Sequence, residues 1–471
     1  MKKDLPPIIA LIPIAFLIFM LSITISSFGS DTLAGGSQLA LLATSAVCVV
    51  IGIGFFGRKW KDFEDAISNN VGKTSIAIII LLIIGALSGT WMISGVVPTL
   101  IYYGVQIIHP TIFLTTTCII CALVSVMTGS SWTTIATIGI ALMGIGQAQG
   151  FHEGWIAGAI ISGAYFGDKI SPLSDTTVLT ASTTGTPLFR HIKYMFITTL
   201  PTVIITLILF TILGMSHSYT NSGDIAEMTQ AIRERFHITP WLLLVPLITA
   251  VMIALKIPSL ITLFASTVVG SIFALIFQPD IIMEISDGKG LFEGTLISIY
   301  GSTSIHSDNT MLSELIATRG MSGMLNTVWL IICAMCFGAS MQASGVIESI
   351  TSIFIRFMNK RVSVVSSTVA SGLFFNLTTA DQYLSIILTG SMFKKIYSEK
   401  GYESCLLSRT TEDAVTVTSP LIPWNTCGMT QATILSVSTL TYLPYCFFNL
   451  ISPIMSIIIA AIGYKIKRIT K

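Results

Sequence analysis

Long apolar runs alternate with short polar punctuation along the whole chain. Runs near 8–27 and 38–56 flank a Gly-Ser loop at 29–37, and each is long enough to be a helix that crosses a bilayer. The stretch 57–73 gathers Arg58, Lys59, Lys61 and Lys73 with Asp62, Glu64 and Asp65. It reads as a loop, cytoplasmic by the bias of Lys and Arg toward that side. A helix near 75–105, a run near 111–127, the polar knot 128–134 and a further run to Ile145 follow. Arg190, His191 and Lys193 mark a second cytoplasmic point before a helix near 194–214. A polar loop at 216–239 reads as extracytoplasmic. Helices near 240–255 and 259–277, an acidic loop with Asp280, Glu284 and Asp287, and a polar segment at 300–310 lead to a helix near 323–343. Late runs at 429–448 and 451–464 end in a basic tail. The pattern predicts roughly ten to twelve spanning segments plus re-entrant pieces. Basic residues at both ends put both termini on the cytoplasmic side.

One stretch breaks this pattern at membrane depth: Gly167-Asp168-Lys169-Ile170-Ser171-Pro172-Leu173-Ser174-Asp175-Thr176-Thr177. A charge at mid-bilayer costs about 2.5–3.5 kcal/mol even on a lenient scale. Pro172 removes a backbone donor and disfavours helix at Ser171. Irregular backbone at that depth survives only inside protein or beside a watery cavity, so this reads as a broken helix that holds an ion.

Composition agrees with a membrane protein. Of 471 residues 52% are hydrophobic and only 10% charged, with a mean hydropathy of +0.82, against about a quarter charged in soluble domains. A net charge of +2, spread over short loops, offers nothing to nucleic acid. The pairs Cys118/Cys121 and Cys333/Cys336 lie in apolar helix and read as small buried hydrophobes. The first apolar run has no small-residue cleavage site and reads as a retained helix. His152-Glu153 lacks the second histidine of a zinc protease motif, Glu153 reads as a loop residue, and G-x-S-x-G is missing, so no enzyme class is indicated.

The two halves echo one another. Ser94-Gly95-Val96 returns as Ser344-Gly345-Val346, Ser131-Trp132-Thr133-Thr134 has a counterpart in Leu377-Thr378-Thr379, and the Asp175 stretch has one in Glu412-Asp413. Paired interruptions in two halves point to a transporter with its site at the repeat interface, which fits better than a channel. Sodium prefers hard oxygen ligands. Asp168, Ser171, Ser174, Asp175, Thr176 and Thr177 supply them in the first half. Asn376, Thr378, Thr379, Asp381, Glu412 and Asp413 repeat the chemistry in the second. A buried carboxylate can hold a proton or a cation in turn, which is the basis for exchange, and sodium is placed at Asp175 and Asp381. Asp168 with Lys169, and Asp413 with Arg409, can instead be structural ion pairs. His306 is either a hydrogen-bonded pore histidine or a pH-responsive group.

The Gly167–Thr177 motif closely resembles the NhaC-type sodium/proton antiporters, and the resemblance extends to Trp91–Pro98, Thr128–Trp132, Thr379–Gln382 and Glu412-Asp413. It implies an all-α polytopic membrane protein of two inverted-topology repeats, each with a re-entrant hairpin and a discontinuous helix. The units are then 1–74, 75–240 with the first break, 241–321 as linking helices, and 322–471 with the second. Hairpin tips fall at Ser130, Ser131, Trp132 and Thr133 and at 376–379, with broken helices at 168–177 and 411–419. It further implies a bacterial inner membrane, a homodimer, no cofactor, and sodium as the transported or coupling ion. Members similar to malate/lactate exchangers and amino-acid carriers keep a small organic acid open as substrate. Lys169, His306, Asp308, Arg409 and Asn425 are then candidate contacts, of which Lys169 and Arg409 can hold a carboxylate.

Overall fold

The chain folds as an all-helical protein, and the computed structural model describes residues 6–28, 35–216, 222–305, 312–313 and 316–469. His306 and Asp308 lie outside the described residues. Seven of the described helices are long and apolar enough to cross a membrane, or up to nine if each of two bent pairs is one span. The apolar helices Ile8–Thr24, Val96–Ile107 and Leu291–Tyr300 are shorter than that.

Two N-terminal helices, α1 (Pro7–Phe28) and α2 (Gly36–Phe56), precede α3 (Trp60–Ile93), which is 34 residues long. α3 absorbs nearly all of the charged stretch expected as a loop. Its charges lie on an exposed face while Phe63, Asn70 and Thr74 are buried, and the Lys59 N–H donates to Asp62 at 3.1 Å to cap the start. Charge marks solvent here, and nothing in the stretch breaks a helix. The expected loops at 216–239 and 280–287 likewise contain the helices Ser222–Arg235 and Pro279–Ile285.

Next come α4 (Val96–Ile107), α5 (Pro110–Thr128), the short α6 (Ser131–Thr134) running through a π-helical turn into α7 (Ile140–Ala148), α8 (Glu153–Ile170), α9 (Asp175–Thr184) and α10 (Leu188–Met215). Glu153 thus opens a helix and stays exposed. α10 shows how the chain is turned inside out. Leu200, Ile204, Ile208 and Ile212 form an exposed stripe, while Thr198, Thr202 and Thr206 are buried. Two of those hydroxyls are spent on backbone, Thr202 on the Thr198 carbonyl at 2.8 Å and Thr206 on that of Thr202 at 2.9 Å. An apolar outer face over a satisfied polar inner one suits lipid as the solvent.

α5 lies along α8 at very close range because Gly163 and Gly167 have no side chain. A Cβ on Gly163 would meet the Cys118 carbonyl oxygen at 2.2 Å, and one on Gly167 the Ala122 oxygen at 2.4 Å. Small residues four apart let two membrane helices touch backbone to backbone. The contact clamps the start of the first break onto α5.

The second half continues through α11 (Leu325–Ser344), α12 (Val346–Arg356), α13 (Arg361–Thr379), α14 (Gln382–Glu399), α15 (Ser404–Thr411), α16 (Thr426–Leu435) and α17 (Phe447–Ile462). Element bounds recur at a spacing of about 250 residues: α5 matches α13, α9 matches α16, and the left-handed turns at Gly95, Gly129 and Gly185 return at Gly345, Ala380 and Ser436. This register differs from the one read by residue type. Asp175 is matched by Thr426 and Ser130 by Asp381, because the chain repeats its breaks and not the acids in them.

Candidate functional site

The first break follows Ile170, where Ser171–Ser174 leave the helix before α9 begins at Asp175. Ser171 ties the turn to α5 through the Val126 carbonyl at 2.8 Å, and Thr177 donates to the Lys169 carbonyl at 3.0 Å. Ser174 caps α9 and shares a hydrogen bond with Thr176 at 2.9 Å. Asp168 is only 5% exposed. Its Oδ2 accepts from the Ser131 hydroxyl at 2.8 Å and the Ser131 N–H at 3.2 Å. Ser130 caps that short helix through Thr133, so the tip between α5 and α6 aims a helix N-terminus at a buried carboxylate. Asp175, by contrast, is exposed.

In the second half the tip falls at Ala380-Asp381, just beyond the expected 376–379. Thr378 and Thr379 end α13, with Thr378 bound to the Phe374 carbonyl at 2.9 Å and Thr379 to that of Asp381 at 3.0 Å. Asp381 is 7% exposed and caps α14, accepting from the Leu384 N–H at 2.8 Å and the Thr426 hydroxyl at 3.3 Å. Ala380 holds a φ of +56°, a conformation that costs a residue with a Cβ about 1–2 kcal/mol.

The second broken helix also sits later than expected. Glu412 and Asp413 belong to a π-helical turn that extends α15, and the backbone leaves the helix between Val417 and Asn425. Side chains take up the carbonyls freed there. Asn376 donates to Val415 at 2.7 Å, Gln382 to Thr416 at 3.0 Å, Asn449 to Val417 at 2.6 Å and Tyr442 to Pro420 at 2.7 Å. Asn425 donates to the Asn376 carbonyl at 3.2 Å and caps α16. Asn376 and Asn425 therefore brace the break, although the Asn376 side-chain oxygen itself has no partner among the described residues.

The two tips converge on residues that the sequence reading missed. Tyr383 lies within electrostatic reach of Asp168, Asp175 and Asp381 together. Cys427 donates to the Gln382 side-chain oxygen at 3.1 Å. Trp132 occupies in the first tip the place that Tyr383 takes in the second. Their position one step past Ser131 and Gln382 was the available signal.

A second polar cluster lies apart from the tips. Lys169 pairs with Asp413 and not with its neighbour Asp168; both partners are fully buried. Asp413 also accepts from Thr198 at 3.1 Å and Ser452 at 3.2 Å, and stands 3.9 Å from Arg409. Asp413 is thus already neutralised by a base 244 residues away, and Lys169 donates to Asp413 and to the Ser452 hydroxyl. Arg409 stacks over the Tyr194 ring at 4.9 Å, with no hydrogen-bond partner for its guanidinium among the described residues.

Buried Asp168 at the end of α8 and buried Asp381 at the start of α14, inside a helical bundle with an apolar coat, define a polytopic membrane protein with carboxylates in its interior. The chain belongs to the Na+/H+ antiporter family, whose model matches residues 3–186 and 163–464. It is 36% identical over 428 residues to a malate-2H(+)/Na(+)-lactate antiporter of Bacillus subtilis (strain 168), covering 90% of this chain and 89% of that one. To a Na(+)/H(+) antiporter NhaC of the same strain it is 36% identical over 408 residues, 86% of this chain and 88% of the relative. A Na(+)/H(+) antiporter NhaC of Alkalihalophilus pseudofirmus is 34% identical over 454 residues, 93% and 96% of the two chains.

Proposed function

We propose that this protein is a secondary active transporter exchanging sodium for protons across a bacterial inner membrane, with both termini cytoplasmic. One observation carries the reading: Asp168 and Asp381 are each buried at a helix break, and neither forms an ion pair among the described residues. A lone buried carboxylate is costly when ionised, so it is occupied either by a proton or by a cation, and each occupant excludes the other. Crossing the bilayer with a bare carboxylate is the expensive step, and that couples the two gradients. Sodium is cargo here. Asp168 and Asp381 hold it with hydroxyl oxygens of the tips, while exposed Asp175 stands at the mouth and Asp413 serves the ion pair with Lys169. In this reading the halves are inverted repeats, with α5–α7 and α13–α14 as re-entrant hairpins, the unit boundaries are those given above, and the protein works as a homodimer.

Inverted vesicles with an imposed pH gradient test it. Sodium should dequench the pH dye, and Asp168→Asn and Asp381→Asn should each abolish the response; unchanged exchange in both variants sinks the assignment. A second reading is coupled exchange of a small carboxylate, favoured by the guanidinium of Arg409, which has no hydrogen-bond partner among the described residues, and by the relative whose name carries malate and lactate. Uptake of radiolabelled acids with and without sodium separates the two.

A further inference from the structure

A cavity of about 480 Å³ lies between α7 and the end of α16. Ile140, Met143, Gly144 and Gln147 of α7 line it, at a spacing that puts them on one helix face. Ile434 and Leu435 of α16 and the turn residue Ser436 close it on another side. Ser88 and Met92 of α3 and Val97 of α4 complete the wall. The inner surface is apolar, since Met92, Val97, Met143, Ile434 and Leu435 are all buried. The rim differs. Glu153, Ala317 and Ser436 are exposed there, and Glu153 is the one charged side chain among the described residues that line the space. Asp168 lies about 22 Å further along α8, so the cavity is separate from the tips.

Size and chemistry narrow what fits. The volume falls within the roughly 300–1,000 Å³ of small-molecule sites. A bare sodium ion needs close, hard oxygens around it, and walls of Met, Val, Ile and Leu withhold them. An anion meets Glu153 and no base among the described lining residues. A neutral apolar molecule gains from the walls and leaves the carboxylate unused. A cation with an apolar body uses both. We propose that this cavity binds an organic cation, its apolar body buried against α7 and α16 and its charge held by Glu153, and that the occupant blocks exchange.

The block follows from where the walls lead. α7 continues from α6 through the π-helical turn, and α6 begins at Ser131, which donates to Asp168 at 2.8 Å. α16 begins at Thr426, which donates to Asp381 at 3.3 Å. A molecule wedged between the far ends of these helices fixes the spacing of two elements whose near ends hold the partners of both carboxylates. Movement of one half against the other changes the width of this space, so an occupant resists it.

Binding is read by calorimetry on full-length protein in sodium-free detergent buffer. The probes are benzyltrimethylammonium, a permanent cation that carries no proton, and benzenesulfonate, an anion with the same ring. The cation should bind saturably, and the anion more weakly by roughly tenfold or more. Glu153→Gln should weaken the cation about tenfold and erase the preference. Ala317→Trp, which crowds the rim, should weaken the cation too, and it serves if the first variant does not fold. In vesicles with the cation on both sides, uptake of radioactive sodium by the wild type should slow, and Glu153→Gln should need about tenfold more cation for the same effect. No saturable binding, equal affinity for cation and anion, or binding unchanged in both variants overturns the site. Binding with sodium uptake unaltered overturns the block. The block rests on the antiport reading, whereas the site does not: a wild type that binds the cation and moves no sodium against protons sinks antiport and upholds the site.

Discussion

Replacing Lys169 by Met leaves Asp413 with its charge and without its main partner. Both side chains are fully buried, and breaking such a pair from one side costs about 3–5 kcal/mol. Asp413 would keep the Thr198 and Ser452 hydroxyls at 3.1 and 3.2 Å and Arg409 at 3.9 Å. That remaining compensation puts Lys169→Met near the lower end, about 3 kcal/mol. The reverse change is worse. In Asp413→Leu the lysine keeps only Ser452 at 3.2 Å and the Phe448 ring at 5.5 Å, which places it near about 5 kcal/mol. The double variant removes both charges and should be less damaging than the sum of the singles by about 3 kcal/mol or more. The chain has seven tryptophans, so unfolding by a denaturing detergent can be followed by their fluorescence. Singles within about 0.5 kcal/mol of wild type, or a double equal to the sum, would refute the claim that this pair staples the two halves together.

Three further outcomes are expected. Gly163→Ala places a Cβ 2.2 Å from the Cys118 oxygen and should lower stability by about 1–3 kcal/mol, checked by thermal unfolding in detergent; an unchanged midpoint would mean that α5 and α8 are not in backbone contact. Ala380→Gly relieves the left-handed turn and should raise stability by about 0.5–1 kcal/mol, read in the same assay. Since protons and sodium compete, the apparent sodium Kd should rise as pH falls and approach at least a tenfold change per unit once the proton form dominates. A sodium Kd that stays flat over about pH 6 to 9 would remove the competition on which exchange depends.

Much of this architecture was legible in the residues. Pro172 and the hydroxyls around it put the first break where it lies, since loss of a backbone donor is a local event. The second break was misplaced because Glu412 and Asp413 drew attention as acids while remaining helical. Residue type says which side chains are expensive to bury; it does not say where the backbone turns. The charged run after Gly57 misled for a related reason, because charge signals water and is compatible with helix. Asp413 lay beyond reach for another. Its partner is 244 positions away, and the adjacent Asp168 and the Arg409 one turn back were the plausible local partners. Tertiary packing chose otherwise.

The amide and phenol donors that occupy Val415, Thr416, Val417 and Pro420 have a consequence for the resting carrier. A kink wired shut by its own side chains keeps its shape with no cargo aboard. On the site assignment proposed above, slippage, the futile return of an unloaded carrier, is prevented by the electrical toll of two naked carboxylates and owes nothing to a collapse of the scaffold. A variant made neutral at both positions should therefore shuttle freely while carrying nothing.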